Sequence, residues 1–385
     1  MNRVLNLALL PMLALGAFGA RANAAGAPIK IGQVVVLTGA NAPWGIPENN
    51  ALKDEVARIN ATGGLLGRQI ELIAYDYKGD QLEGVNVTKR LIGDGVCAII
   101  GPGSSGTGIA MTAVTEAAGV PMVATSATNP KVTFNYDTKK AIHTSFRACF
   151  IDPFQGSVAA KFITSDLKSK RCAVIFDVGS DYSQGLDQYF RESLAKFGGQ
   201  VVAREGYRSG EMDFRAILGK IKASNPDVIY LPTDMTQAAM IMKQGRSLGI
   251  KSIFFSDDSC DTPDVLPLAG PAAEGLYVTN LTSLEDPTIK TWIAQYHAKY
   301  GADPILPNSV MAVDAMRIIA AAITKGKSTE PAKIIANIEH LKDVPVLTGK
   351  LTMDPNTHNP VNKPCVIETV KNGKIKFVKT ISKVN

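Results

Sequence analysis

Two stretches rich in glycine and hydroxyl groups carry most of the chemistry this chain could perform. Gly101-Pro102-Gly103-Ser104-Ser105-Gly106 follows an apolar run and opens a segment with helical spacing. It fits G-x-G-x-x-G, the pattern that cradles the pyrophosphate of dinucleotides. Here the pattern follows the third strand signal, not the first. The next strand, ending Ala124-Thr125-Ser126, carries no Asp or Glu to hold a ribose hydroxyl. A nicotinamide cofactor is therefore not expected, and no other cofactor is indicated. The free N–H groups of a helix start, beside Ser104 and Ser105, still suit a small anion. The second stretch is Thr125-Ser126-Ala127-Thr128-Asn129-Pro130. Ordinary turn chemistry explains either stretch alone. In a parallel sheet, however, neighbouring strands place their carboxyl-end loops side by side, and together the two could grip one carboxylate.

Asp257-Asp258 follows the strand signal at Phe254-Phe255. Strand alternation sends adjacent side chains to opposite sides, so one acid should face a cleft and the other solvent. His143, His297, His340 and His358 have no evident nucleophile partner. G-x-S-x-G, Walker and H-E-x-x-H patterns are missing. The residues thus point to binding, not catalysis.

The elements that must position these loops alternate. Ile29–Leu37, Gln69–Tyr75, Cys97–Ile100 and Pro121–Val123 read as strands, with helices over Glu48–Ile59, Gln81–Ile92 and Thr107–Ala118 between them. The rhythm restarts after Asp152-Pro153. Strands at Cys172–Phe176, Gln200–Ala203, Asp227–Leu231 and Ser252–Phe255 are separated by further helices. Short strands alternating with helices predict parallel sheets covered on both faces. Pro287–Tyr300, Val310–Thr324 and Pro331–Leu341 are then helices in succession, and Asn372-Gly373 centres a hairpin. Helices without strands should return to cover the first half, with the hairpin finishing on the second. The expected fold is α/β, with doubly wound parallel-sheet lobes joined by a three-segment hinge. The first lobe takes residues 25–147 and 283–349, the second 148–282 and 350–385.

The chain has 385 residues, 45% apolar and 20% charged, with a formal charge of +6. Its basic residues are dispersed and its aromatics few, so a nucleic-acid partner is not expected. Met1-Asn2-Arg3, the apolar Val4–Ala20 and Ala22-Asn23-Ala24 read as a signal peptide over residues 1–24. No later stretch reads as a membrane span, so the mature protein should be exported and not inserted in the membrane. A periplasmic monomer is the further expectation. Cys97, Cys149, Cys172, Cys260 and Cys365 form no C-x-x-C, and several sit in apolar runs. Buried small side chains are expected, with no metal site.

The chain resembles the type I periplasmic solute-binding proteins of ABC transporters, in particular the leucine/isoleucine/valine-binding group. The likeness rests on the order of several short motifs. They are Ile29-Lys30-Ile31-Gly32, Leu37-Thr38-Gly39, Ile59-Asn60-Ala61-Thr62-Gly63-Gly64, Ile99-Ile100-Gly101-Pro102 and Gly119-Val120-Pro121. Gly179-Ser180-Asp181-Tyr182-Ser183-Gln184-Gly185-Leu186, Asn225-Pro226-Asp227-Val228-Ile229 and Ala273-Glu274-Gly275 continue it. The resemblance implies a bilobed protein that closes on an amino acid and delivers it to a membrane permease. It assigns the ligand carboxylate to Ser105 and Thr128, an aromatic cover to Trp44, a second-lobe contact to Tyr182 and the ammonium partner to Asp258. Where the family often has an aromatic, this chain has Asp234. A second carboxylate there would disfavour a plain aliphatic ligand, or would simply bond within its own loop. Positions matching a disulfide of some members, near Lys78 and Ser104, are not cysteine. Other readings on the same fold are a receptor for an amide, urea or aromatic carboxylate, and an exported enzyme or sensor. The missing acid/base pair argues against the enzyme, and the missing membrane segment against the sensor.

Overall fold

The computed structural model describes residues 26–384 apart from 40, 261 and 362. The expected signal peptide lies outside the described residues. The first sheet contains β1 (Ile29–Val35), β2 (Ile70–Asp76), β3 (Ala98–Ile100), β4 (Met122–Ala124) and β5 (Ser145–Arg147), in the order β2-β1-β3-β4-β5. All its pairings are parallel. Its central strands are apolar and β-branched and lie buried, as strands covered on both faces must be. The helices α1 (Ala42–Ala61), α2 (Gln81–Gly93) and α3 (Ser105–Ala118) make the crossovers.

The second sheet contains β6 (Arg171–Asp177), β7 (Gln200–Tyr207), β8 (Val228–Leu231), β9 (Ile253–Ser256) and β10 (Tyr277–Asn280), with β11 (Cys365–Lys371) and β12 (Lys374–Ile381) added at one edge. Its order is β12-β11-β10-β9-β8-β6-β7. The β6–β10 pairings are parallel, while β11 and β12 join antiparallel as the predicted hairpin. The helices of this half are α4 (Asp152–Ser165), α5 (Asp181–Lys196), α6 (Arg215–Ala223), α7 (Met235–Ser247) and α8 (Thr262–Ala269). Of the later helices α9 (Lys290–Tyr300), α10 (Leu306–Gly326) and α11 (Pro331–Glu339), α10 packs on α1, β3 and β4 and so returns to the first sheet. It is long and apolar enough to cross a membrane, a length that the sequence reading did not credit, but it is largely buried as a core helix.

The chain leaves the first sheet after Arg147 and the second after Asn280. The third passage differs from expectation. Gly349–Met353 pairs with Val344–Val346, and Pro360–Val361 pairs with it in turn. His358 lies with Nδ1 3.1 Å from the carbonyls of Ile142 and Ser145, and its ring stacks on Phe146. Residues 349–361 therefore stay with the first half, and the return falls between Val361 and Cys365. Lys363 fixes that point. Its Nζ donates to Asp314 Oδ2 at 2.8 Å and Thr348 Oγ1 at 2.6 Å, all within the protein.

Removing one partner of a buried pair strands the other charge, at a cost of about 3–5 kcal/mol, whereas exposed pairs contribute about 1 kcal/mol or less. Lys363→Met should lower the unfolding free energy by that larger amount. Lys299→Met, whose partner Asp54 is near the surface, should barely change it. Urea titrations compare the two, and equal losses would deny Lys363 its role at the third passage.

Candidate functional site

The carboxyl ends of both sheets meet at one cavity of about 200 Å³. That is room for one small molecule, well below the roughly 300–1,000 Å³ of drug-sized pockets. Trp44, Ser104, Ser105, Ser126, Tyr182, Asp234 and Asp258 line it. Ala127 and Thr128 do not. Both are fully buried, Ala127 within the first-lobe core.

Close backbone packing shapes the first-lobe wall. A Cβ at Gly45 would stand 1.8 Å from the Val36 carbonyl, so only glycine lets α1 lie this tightly over the end of β1. That approach brings Trp44 and Glu48 to the cavity. Trp44 also reaches across to pack on an apolar cluster of the second lobe that includes Met235 and Cys260. Ser104 is the N-cap of α3, yet its side chain caps nothing. Ser105 Oγ accepts the Asn129 N–H at 3.2 Å, which leaves its own proton to donate. The first N–H groups of α3 have no partner within the helix.

Arg147 holds the second loop from behind. Its guanidinium is fully buried and donates to the carbonyls of Ala127 at 2.6 Å and Asn129 at 2.8 Å. Asn129 Nδ2 then donates to the Asp181 carbonyl at 2.8 Å, linking this loop to the start of α5. The Thr128 hydroxyl and both Asp152 carboxylate oxygens are buried as neighbours without a well-formed hydrogen bond.

In the second lobe, Asp258 is 4% exposed. Tyr182 OH donates to its Oδ1 at 2.8 Å and Gln155 Nε2 at 2.5 Å. The expectation that one of the two acids faces solvent is corrected. Strand β9 ends at Ser256, so its alternation does not extend to Asp257, which is 0% exposed and takes the N–H and hydroxyl of Ser259 on Oδ1. Ser259 itself lines the cavity. Asp234 is the N-cap of α7 but makes no capping bond, and the residue is exposed where it borders the cavity.

The sequence reading missed Glu48 and Asn308. Glu48 is 2% exposed and lines the cavity. Thr125 Oγ1 donates to its Oε1 at 3.2 Å and Asn308 Nδ2 to its Oε2 at 3.1 Å. Asn308 Oδ1 in turn accepts from Ser126 Oγ at 2.6 Å.

Burial dominates the protonation of these acids. It pushes Glu48 up to about 8 against the bonds from Thr125 and Asn308. Asp152 rises to about 7, opposed by Thr128 and Arg147, and Asp258 to about 6, opposed by Gln155 and Tyr182. Asp257 is raised by burial and then by the charge of Asp258. Among the described residues no group of His, Cys, Asp and Glu could hold a metal ion.

Two α/β lobes with a polar cavity between their sheet ends define a solute-binding protein. The chain belongs to the periplasmic binding protein family, which matches residues 28–374. It is 30% identical to the Leu/Ile/Val-binding protein BraC3 of Rhizobium johnstonii, over 85% of this chain and 87% of that protein. The leucine-binding protein LivK of Thermotoga maritima superposes with a TM-score of 0.84 at 31% identity, covering 92% of this chain and 99% of the other. LivJ of Streptococcus pneumoniae, solved with isoleucine, gives 0.84 at 30%, covering 92% and 100%.

The raised acids bind protons more tightly in the folded state than in the unfolded one. Their stabilising effect is complete below about pH 4, where carboxyls are protonated in both states. It is lost as the pH rises through about 6, 7 and 8 for Asp258, Asp152 and Glu48. The unliganded protein should therefore melt at progressively lower temperature from pH 5 to 8.5, and Glu48→Gln should flatten the upper part of that fall. A melting temperature that rises over this range would refute the assignment.

Proposed function

We propose that the protein captures an amino acid between its lobes and presents it to the permease of an ABC transporter. The observation that carries this reading is the opposition of chemistries across the cavity. The first lobe offers neutral donors, Ser104, Ser105 and the start of α3, which suit a carboxylate. The second offers Asp258, held by Tyr182 and Gln155, which suits an ammonium. A zwitterion spanning the two would bridge the lobes. Family membership and the ligands named for BraC3, LivK and LivJ support the same reading. Trp44 and Tyr182 cover the ligand. Thr128, away from the cavity here, stands beside Asn129 and supports the loop. The protein acts as a periplasmic monomer, and closure on the solute is what the permease senses.

Charge-assisted hydrogen bonds contribute about 1.5–3 kcal/mol. Ser105→Ala should thus weaken binding about tenfold or more. Asp258→Asn leaves a ligand ammonium unpaired in a closed site, and should cost about a hundredfold or more. Calorimetric titration with a panel of amino acids measures both. Unchanged affinity in Asp258→Asn would remove the ammonium from this site and move the reading to a carboxylate without an amino group, such as an aromatic acid.

A further inference from the structure

The cavity is unusually one-sided in charge. Among the described residues Glu48, Asp234 and Asp258 line it, and no Lys, Arg or His does. Each of the three acids has a different standing. Glu48 has a donor on each oxygen, from Thr125 and Asn308, and needs nothing from a ligand. Tyr182 and Gln155 both donate to Asp258 on Oδ1, and the residue borders the cavity. One ligand ammonium satisfies it. Asp234 is left over.

Among the described residues no side chain or backbone group makes a hydrogen bond to the Asp234 carboxylate. An aspartate at an N-cap ordinarily accepts from the backbone N–H two or three residues on. Ser180, the N-cap of α5 on the neighbouring loop, does so by accepting from Ser183. Asp234 forgoes that bond and stands exposed at the edge of the ligand space. The alternative left open by the sequence, that Asp234 bonds within its own loop, is thereby removed. The loop below it is otherwise fully engaged. Thr233 bonds Tyr207, and the Pro232 and Thr233 carbonyls accept from Ser183 and Ser259. The charge that bears on Asp234 is that of another acid, Asp177.

Closure around leucine or isoleucine would press this carboxylate against an alkyl group and strip its water with no donor in return. A ligand with a cationic nitrogen at its far end would replace that water with an ion pair. We propose that Asp234 selects an amino acid whose side chain ends in a cationic nitrogen, so that the ligand carries one positive charge to Asp258 and a second to Asp234. The inference rests on the amino-acid reading above and narrows its substrate class. The volume limits the ligand to a short chain, of the size of ornithine or lysine.

The test is isothermal titration of the whole mature protein with L-ornithine, L-lysine, L-leucine and benzoate, on wild type, Asp234→Asn and Asp234→Leu. Circular dichroism melts confirm that each variant folds. A diamino acid should bind wild type about a hundredfold or more tighter than leucine. Asp234→Asn should lose most of that preference, and Asp234→Leu should reverse it. Leucine binding wild type as tightly as the diamino acids would overturn the role of Asp234 and leave the amino-acid reading standing. So would a diamino-acid affinity unchanged by Asp234→Asn. Benzoate binding with no amino acid bound would overturn both readings, and no binding by any of the four probes would overturn the diamino-acid inference.

Discussion

A carboxyl group shut between two protein layers must find a donor, keep a proton or keep its water. This cleft contains several such groups and too few cations. Glu48, Asp152, Asp257 and Asp258 are all buried. Arg147, the one fully buried guanidinium among the described residues, spends its bonds on the carbonyls of Ala127 and Asn129 and on the Thr133 hydroxyl. The acids are therefore held up in pKa by desolvation, with their hydrogen bonds only partly compensating. Closing the lobes without a ligand is opposed by this imbalance. A ligand that brings positive charge removes the opposition. Its binding and the closure then become one event, as a receptor read by its shape requires.

The fold supplies this arrangement by pointing the carboxyl ends of two parallel sheets at one another. Each lobe alone holds half a site. The first has a helix start, small hydroxyls and a tight glycine contact that admits Trp44. The second has short loops after β8 and β9 that carry Asp234 and Asp258. Between them the connections are anchored very differently. Arg147 and Lys363 are tied by several buried bonds beside the first and third passages. The cleft contacts, such as Asn129 to Asp181, are single bonds between loops.

How far the sequence could be read depended on whether the signal was local. Ser104 and Ser105 could be placed at the cavity because a glycine-rich loop between a strand and a helix exposes N–H groups at a sheet end. The two-sheet rhythm was legible for the same reason, since period and turn residues are local. Asp257 was misread because the alternation rule was carried one residue past the end of β9. Glu48 was missed because an acid in the second turn of a helix looks like a solvated face. Its burial comes from Thr125 and Asn308, which lie 77 and 260 residues away in the chain. The third passage was misplaced because strands of two to five residues around Gly349 carry little pattern. They are held by long-range contacts, His358 on Phe146 among them.

The division of labour between the lobes also explains where specificity can vary without loss of the fold. In the proposed mode of binding, the carboxylate meets backbone N–H groups and Ser105 at the sheet-to-helix turn. Any amino acid offers the same carboxylate to it. Asp258 is likewise set among Tyr182, Gln155 and Thr279, a network in which any change leaves a buried group unpaired. Asp234 is different. It makes no capping bond, and it is exposed where it borders the cavity. An aromatic, an alkyl or a carboxyl side chain can stand at such a position with equal tolerance from the protein. What the position costs or gains is decided almost entirely by the ligand it meets, and that is the physical condition for a residue that sets substrate choice.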